Sequence, residues 1–207
     1  MELILDLGSG NSLPDAETAI KLIDEIKKRD TGKHLITLKT QLFESAPPNV
    51  PLDIDVFGEA WGYASSKGYH LTSSVFDGES LMYLLQFDTE EWRLPFIKIA
   101  CRPDLYWLIG EIPRRIPVYV SHDEPPPECY VESKNDTTMQ CVSKYPAGYD
   151  DYMPVFSDAI SDHTVGWKIF NEIQPQILEK HCVLEHNDTN PDAGAFAVTL
   201  SELEEIL

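Results

Sequence analysis

Short apolar runs alternate with amphipathic stretches along most of the chain, a pattern typical of α/β proteins. The run Leu3–Leu7 is followed by Gly-Ser-Gly-Asn, which indicates a strand that enters a loop. After Asp15 in the sequence, the apolar residues at positions 19, 22, 23 and 26 fall on one face of a predicted helix. A second apolar run, His34–Lys39, completes a strand-helix-strand unit.

The alternation continues and predicts eight strands in total. After the first two, the predicted strands are His70–Phe76, Pro95–Ala100, Val118–Ser121, Thr138–Val142, Ala159–Thr164 and Gln176–His181. Helices are predicted at Asp55–Lys67, Gly78–Gln86, Leu105–Arg114, Val165–Glu172 and Leu200–Leu207. Residues 122–135 include a proline run that cannot be helical, and Tyr149–Ser157 predicts a weakly helical or irregular link.

Eight strands in one right-handed alternating chain predict a (β/α)8 TIM barrel, as a single domain over residues 1–207. The length is close to the lower limit of about 200 residues for this fold, so we expect a compact barrel with one or two outer helices shortened or missing. A doubly wound open sheet is the alternative. It is less favoured because no glycine-rich phosphate fingerprint follows the first strand.

The composition, 43% apolar and 25% charged, is that of an ordinary soluble protein. No stretch has the length of a membrane span, and the residues after Met1 do not resemble a signal peptide, so we expect a cytoplasmic location. The net charge of −19 repels nucleic acid and anionic membranes, so neither is an expected partner. Cys101, Cys129, Cys141 and Cys182 form no Cys-x-x-Cys pair and predict buried, reduced thiols.

Polar residues end the predicted strands at their C-terminal side. They are Asp6, Lys39, Gln41, Ser73, Ser74, Lys98, Ser121, Ser143, Tyr145, Ser161, His163, Glu179 and His181. In a closed barrel these residues meet at one face, where the active sites of TIM-barrel enzymes lie. Lys39, Lys98 and Lys180 bring positive charge, and with the hydroxyls they predict a pocket for a phosphate or a carboxylate. The alternative for each lysine taken alone is a solvated surface charge.

Two predicted strands end in histidine, and a single helical segment separates them. If these strands are neighbours, His163 and His181 lie about 5 Å apart and could bind one divalent metal ion. Two protein ligands would leave metal positions open for substrate or water. Asp162, Glu179 and Lys180 would then support the ligands or contact a charged substrate. The alternative is that one histidine packs and the other is solvated.

A series of motifs resembles that of the sialic acid (N-acetylneuraminate) synthase family. The matching stretches are Leu38–Phe43 (the family's Lys-x-Gln strand), Ser73–Ser80 (its Ser-Thr-Pro-Phe-Asp-x-Glu-Ser), Lys98–Ala100 (its Lys-Ile-Ala), Cys141–Ala147 (its Cys-Thr-x-x-Tyr-Pro), Ser161–Thr164, Glu179–His181 and Pro191-Asp192. Each motif is weak alone. Together they run in order with compatible spacing and cover almost the whole chain.

The resemblance implies a barrel that condenses phosphoenolpyruvate with N-acetylmannosamine or a related aldose to give a 2-keto sugar acid and phosphate. It implies that His163 and His181 hold Mn²⁺ or Mg²⁺. The implied catalytic residues are Asp6, Lys39, Lys98 and Glu179, and the implied substrate-binding residues are Gln41, Ser74, Ser121, Ser143, Tyr145, Ser161 and Asp192. Of these, Lys39, Lys98, Ser74, Ser121 and Ser161 would contact phosphoenolpyruvate, and Glu179, Tyr145 and Asp192 would face the sugar.

The chain also departs from the family pattern. Asp6 stands where the family usually has Glu, Cys101 replaces a Ser and Ser143 replaces an Asn, so expected polar contacts are displaced or lost. After Ser121, acidic residues and prolines replace the usual Thr-Gly turn. Bacterial members carry a C-terminal antifreeze-like domain that supplies an arginine to the sugar site, and this chain reaches Leu207 without one.

Three functions follow as hypotheses. The first is a working synthase, favoured because the residues suited to phosphate and the histidine pair persist together. The second is a catalytically impaired barrel that binds a ligand or acts as a scaffold, motivated by Cys101 and Ser143. The third is another metal-dependent sugar aldolase or isomerase. The sugar acceptor and the oligomeric state, with a homodimer among the options, are left open.

Overall fold

The chain folds into a closed barrel of eight parallel strands in a computed structural model that describes residues 1–45, 47, 49–126 and 135–207. The strands are β1 (Glu2–Asp6), β2 (Leu35–Leu42), β3 (His70–Val75), β4 (Ile97–Ile99), β5 (Val118–His122), β6 (Asp136–Cys141), β7 (Ala159–Asp162) and β8 (Ile177–Val183). Each strand pairs in parallel with the next, and β1 also pairs with β8, which closes the ring. The predicted TIM barrel is confirmed.

The helices around the barrel are of unequal length. They are α1 (Ala16–Arg29), α2 (Ile54–Ser66), α3 (Gly78–Leu84), α4 (Lys168–Glu172) and α5 (Leu200–Leu203), with 3-10 helices at Leu85–Phe87, Pro103–Glu111 and Tyr149–Tyr152. Only 3-10 helices lie in the described connections from β4 to β5 and from β6 to β7, which confirms the expected trimming of the outer layer.

Three boundaries differ from the sequence predictions. The helix expected at Leu105–Arg114 is a 3-10 helix that starts earlier, with Pro103 in its first turn. The closing helix stops at Leu203, and the helix expected from Val165 begins only at Lys168. A ninth strand, β9 (Val198–Thr199), pairs with the end of β8 and was not predicted, because two residues show no periodicity.

The first helix illustrates how the sequence builds the outer layer. The side chain of Asp15 accepts a hydrogen bond from the Thr18 backbone N–H (2.7 Å) and caps α1. Leu22, Ile23 and Ile26 are buried against the barrel, as the helical spacing predicts. Basic residues at positions 27–29 occupy the last turn, where they complement the helix dipole.

Strand alternation divides the core into two layers. Leu3 and Leu5 of β1 pack into the main core cluster between barrel and helices, whereas Ile4 joins a separate cluster with Phe96 and Met139. Ile4 therefore faces the barrel interior, and two residues later Asp6 faces it as well. The barrel interior is thus filled by apolar side chains towards the N-terminal ends of the strands and by charged side chains near their C-terminal ends.

Two further sequence predictions concern membranes and cysteines. In the described part of the chain, no helix is both long and apolar enough to cross a bilayer. Cys101, Cys141 and Cys182 are free thiols, of which Cys141 and Cys182 are buried and Cys101 is partly exposed. Cys129 lies outside the described residues, together with most of the proline-rich segment.

Candidate active site

A cavity of about 610 Å³ opens at the C-terminal end of the barrel. All residues that the family resemblance assigned to catalysis, substrate binding or metal binding line this cavity: Asp6, Lys39, Gln41, Ser74, Lys98, Ser121, Ser143, Tyr145, Ser161, His163, Glu179, His181 and Asp192. The strands bring them together because polar residues at the C-terminal ends of parallel strands share one face of the barrel. Their individual roles remain predictions.

The register of the strands sets which of these side chains are neighbours. Asp6 on β1 lies opposite Lys39 on β2 and opposite His181 on β8. Ser161 on β7 lies opposite Glu179 on β8. Because residues opposite each other in a parallel pair face the same side, these pairings place the charges in contact within the cavity.

Asp6 and Lys39 form a buried ion pair, with Nζ 2.7 Å from Oδ2. Lys39 also donates to Ser74 Oγ (2.9 Å) and to the Thr40 carbonyl (3.3 Å), so its three N–H donors are engaged. Gln41 Nε2 donates to the same carboxylate oxygen of Asp6 (3.1 Å). Burial raises the pKa of Asp6, but the neighbouring positive charges outweigh it and hold the pKa well below its usual range. Asp6 is therefore an ionised carboxylate that fixes the Lys39 ammonium.

A second buried ion pair joins Lys98 on β4 to Glu179 on β8. Ser161 Oγ donates to Glu179 Oε1 (3.0 Å), and Lys98 Nζ also donates to Ser161 Oγ (3.3 Å). Burial raises the pKa of Glu179, but the charges of Lys98 and Lys39 outweigh it, so the net pKa is lowered. Lys98 uses two of its three N–H donors on described residues, which leaves one for a ligand.

The two histidines are close neighbours, with ring centroids 5.8 Å apart. Both are buried, so the alternative in which one of them is solvated is wrong. His163 Nδ1 donates to the Val142 carbonyl (2.7 Å), which leaves a lone pair on Nε2. Burial, and then the charge of His181, lowers the pKa of His163 to about 3. His163 is therefore neutral at pH 7, the form that binds metal ions.

The histidine pair fits one divalent metal ion. With metal–nitrogen bonds of about 2 Å, two rings at this separation can share an ion. His181 Nδ1 is buried without a hydrogen-bond partner, and Asp6 Oδ2 lies 3.6 Å from His181 Nε2. Within the described ranges, no group of three or more His, Cys, Asp or Glu side chains is arranged to hold a metal ion. A bound ion would thus keep most of its coordination positions for substrate or water.

Three buried polar atoms in the cavity have no hydrogen-bond partner among the described residues. They are Ser121 Oγ, Glu179 Oε2 and His181 Nδ1. Buried polar groups in native proteins are nearly always hydrogen-bonded, either to protein or to water. The three atoms thus indicate a polar ligand or ordered water in this part of the cavity.

Asp192 ties the loop after β8 to the loop after β1. Its Oδ2 accepts from the Ser9 backbone N–H (2.8 Å) and from Ser9 Oγ (2.6 Å). The loops meet so closely at Gly8, where φ is +85°, that a Cβ there would lie 2.7 Å from the Asp192 carboxylate. A glycine is therefore required at this position, and one carboxylate oxygen of Asp192 is committed to holding the loop.

Further residues of the cavity wall were not predicted. Asn49, Arg102, Asp188, Asn190 and Phe196 line it from loops rather than from strand ends. The ring of Phe196 lies 5.0 Å from those of Tyr145 and His181, so it forms an aromatic wall beside the histidines. Loop residues show no periodicity, so the hydrophobic pattern could not identify these residues. In the sequence, the one indication was that Asp188 and Asn190 lie close to the Pro191-Asp192 motif.

Lys180 and Ser73 do not line the cavity, so their predicted place there is wrong. Asp162, which was expected to support the metal ligands, pairs with Lys180. Glu179 and His181 point into the barrel, and alternation turns Lys180 outward. Lys180 Nζ bonds Asp162 Oδ2 (2.9 Å) and the Thr164 carbonyl (2.5 Å), with both charged side chains fully buried. Ser73 faces outward in the same way, where Thr40 Oγ1 donates to it (3.1 Å).

Comparison with known proteins finds similar structures but no similar sequence among protein-family models or curated proteins. An N-acetylneuraminic acid (sialic acid) synthetase from Leptospira borgpetersenii, crystallised with citrate, superposes with a TM-score of 0.71 at 18% identity, over 99% of this chain and 80% of that one. A spore coat polysaccharide biosynthesis protein E from Chromobacterium violaceum gives 0.72 at 17% identity, over 99% and 72%.

A more distant barrel belongs to a second class of enzyme. Phospho-2-dehydro-3-deoxyheptonate aldolase from Thermotoga maritima gives a TM-score of 0.66 at 11% identity, over 99% of this chain and 66% of that one. At these identities the comparisons show the fold. They confirm that the barrel has the same fold as the sialic acid synthetase, as the motifs led us to expect.

Proposed function

We propose that this chain is a metal-dependent synthase that condenses phosphoenolpyruvate with N-acetylmannosamine or a related aldose. One observation carries the proposal: a single cavity collects two buried lysine–carboxylate pairs, serine hydroxyls and two neighbouring histidines. The motifs that resemble those of sialic acid synthases contain all of these residues except Asp6 and Ser121. A barrel of the same fold occurs in a protein described as a sialic acid synthetase.

The anionic donor would bind at Lys98 and Ser121. Lys98 has a donor to spare, and the Ser121 hydroxyl is buried without a partner among the described residues. Both groups can bond phosphate or carboxylate oxygens, and a charge-assisted bond from Lys98 would be the stronger. Lys39 has all its donors engaged by protein groups, which supports a role in positioning Asp6 and Ser74.

The histidines would hold the Mn²⁺ or Mg²⁺. When bound, the ion would polarise the aldehyde carbonyl of the sugar. Protein groups hold His163 in a metal-binding form and orientation. The Val142 carbonyl fixes its tautomer, and the Tyr145 ring packs against it with the ring centroids 4.3 Å apart. Tyr145 and Phe196 also line the side of the cavity on which the sugar would lie.

The proposed reaction joins C3 of phosphoenolpyruvate to the aldehyde carbon of the sugar. The aldehyde oxygen takes up a proton, water adds at C2 of the donor, and phosphate leaves, so one aldose, one phosphoenolpyruvate and one water give one 2-keto sugar acid and one phosphate. Glu179 Oε2, which is buried without a partner among the described residues, would accept a hydrogen bond from the water or from a sugar hydroxyl. Lys98 would stabilise the negative charge on the departing phosphate.

Release of inorganic phosphate tests this function. Purified protein loaded with Mn²⁺ should release phosphate from phosphoenolpyruvate when N-acetylmannosamine or another aldose is added, and His163→Ala should not. Binding of phosphoenolpyruvate without phosphate release for any aldose of a panel would favour the impaired, ligand-binding barrel. Conversion of a sugar without phosphoenolpyruvate would favour an aldolase or isomerase.

A further inference from the structure

The loops that follow β1, β2 and β8 are held together at the C-terminal end of the barrel. Since β1 pairs with both β2 and β8, these loops are neighbours on one side of the cavity. Ser9, which is 1% exposed, donates its backbone N–H (2.8 Å) and its hydroxyl (2.6 Å) to Oδ2 of Asp192. The loops after β1 and β2 approach so closely that a Cβ added to Gly10 would lie 2.2 Å from the Pro51 carbonyl oxygen.

Asn190 holds the backbone of the same aspartate. Its Oδ1 accepts a hydrogen bond from the Asp192 N–H (2.9 Å), and its Nδ2 donates to the Asn11 carbonyl (3.0 Å) and to Ser12 Oγ (3.1 Å). The loop after β1 therefore fixes Asp192 twice, at the carboxylate through Ser9 and at the backbone through Asn190.

The second carboxylate oxygen of Asp192 is left for a ligand. Asp192 lines the cavity, whereas Ser9 does not. Among the described residues, the hydrogen bonds to the Asp192 carboxylate all end on Oδ2. The Ser9 hydroxyl has a single hydrogen, and the carboxylate is a closer acceptor than Asn11 Oδ1 (3.0 Å) and also a charged one. Turning the carboxylate would break both bonds from Ser9, so the direction of Oδ1 depends on a residue outside the cavity.

We propose that Ser9 is a positioning residue for the sugar: by holding Oδ2 of Asp192, it directs Oδ1 towards a hydroxyl of the aldose. The bond from a hydroxyl to a carboxylate oxygen is a strong one, and its strength depends on alignment. The role rests on the proposed function, because Asp192 meets an aldose only if the cavity binds one. The phosphoenolpyruvate contacts proposed above are separate, since Lys98 on β4 and Ser121 on β5 lie across the barrel from β1.

Steady-state kinetics with both substrates test this role. Phosphate release by the full chain with Mn²⁺ is measured while either phosphoenolpyruvate or the aldose, N-acetylmannosamine or another member of the panel, is varied. Ser9→Ala should raise the KM for the aldose roughly two- to tenfold, the effect of one hydrogen bond, and leave the KM for phosphoenolpyruvate unchanged. In an Asp192→Ala background, Ser9→Ala should change the KM for the aldose no further, because the carboxylate that it positions is absent.

Ser157→Ala is the matched control for a purely structural effect. The Ser157 hydroxyl also joins two segments, since it donates to the Thr138 carbonyl (2.6 Å) and accepts from the Ala159 N–H (3.0 Å), and it does not line the cavity. Its removal should lower the free energy of unfolding and leave both KM values unchanged. A change in the KM for the aldose alone is thus specific to the positioning role of Ser9.

Three results would overturn the role of Ser9 and leave the proposed function in place. They are an unchanged KM for the aldose in Ser9→Ala, an equal rise in both KM values, and the same rise in the Asp192→Ala background. An unsubstituted chain that releases no phosphate with any aldose would contradict the proposed function, and this role with it.

Asp192→Asn decides the matter if circular dichroism shows that Ser9→Ala does not fold. The amide oxygen can still accept both bonds from Ser9, while an NH₂ group replaces the oxygen that faces the cavity. The KM for the aldose should therefore rise although the bonds from Ser9 are kept, and an unchanged KM would overturn the proposal.

Discussion

Lys98 and Glu179 form a buried ion pair that spans the barrel, from β4 to β8 on the opposite side. Their side chains are 5% and 3% exposed, and they lie in the cavity beside Ser161. A second pair, Lys180 with Asp162, is fully buried too but faces the outer layer. With Lys39–Asp6, the described part of the chain therefore contains buried pairs both in the candidate active site and outside it, and comparing them allows catalytic and structural effects to be separated.

Replacing the two lysines by methionine should have different consequences for ligand binding. In Lys98→Met the loss of a charge-assisted hydrogen bond should weaken phosphoenolpyruvate binding by about 1.5–3 kcal/mol, roughly ten- to a hundredfold in Kd. In Lys180→Met the Kd of the folded fraction should be unchanged, because Lys180 does not line the cavity. Calorimetric titration with phosphoenolpyruvate measures both, and an equal loss in the two variants would contradict the assignment.

Asp162→Ala should destabilise the protein strongly. It leaves the Lys180 ammonium buried without its carboxylate, which typically costs about 3–5 kcal/mol in the free energy of unfolding. The double variant Asp162→Leu/Lys180→Met should recover much of this loss, because no unpaired charge remains. Urea unfolding measures both variants. A double variant no more stable than Asp162→Ala would contradict the idea that the unpaired Lys180 charge causes the loss of stability.

Ser121→Ala should weaken donor binding without loss of stability. The Ser121 hydroxyl has no partner among the described residues, so its removal should leave the free energy of unfolding unchanged or slightly higher. If it bonds phosphoenolpyruvate, the KM for that substrate should rise roughly two- to tenfold, for about 0.5–1.5 kcal/mol. Ser73→Ala is the control. It should lower stability through its bond with Thr40 and leave KM unaffected, and the reverse pattern would refute the role of Ser121.

The stability of the metal-free protein should fall as the pH falls from 6.5 towards 3. The pKa of His163 is lowered by burial from 6.5 to about 3, so the unfolded chain binds the proton first in this range. The contribution of His163 is therefore fully present above pH 6.5 and is lost below it, with a slope of up to about 1.4 kcal/mol per pH unit for one proton.

Urea unfolding at several pH values checks this dependence. The slope should be shallower in His163→Gln, which cannot take up the proton. It should not vanish, because burial also lowers the pKa values of His34 and His122. An identical slope in the variant would mean that His163 does not contribute.

The strands and the position of the cavity could be predicted because they depend on local patterns. Alternation of apolar runs and helices identified every barrel strand within a few residues, and the C-terminal ends of parallel strands must share a face. Asp6, Lys98 and His181 were found in this way. The order of the strands then placed His163 beside His181, as the short sequence between them suggested.

The errors also have physical causes. Lys180 was wrongly predicted to line the cavity. It directly follows Glu179, and successive side chains of a strand point to opposite sides, so the two residues cannot both face the cavity. Phe196 and Arg102 lie on loops, whose paths no periodicity predicts.

The most direct test of the proposed synthase is the product itself. Mass spectrometry of a reaction containing the protein, Mn²⁺, phosphoenolpyruvate and N-acetylmannosamine should show a 2-keto acid with the mass of the sugar plus phosphoenolpyruvate plus water minus phosphoric acid. It should form in step with inorganic phosphate and be absent with His163→Ala. A folded, Mn²⁺-loaded protein that forms no such acid from any aldose of a panel would contradict the account.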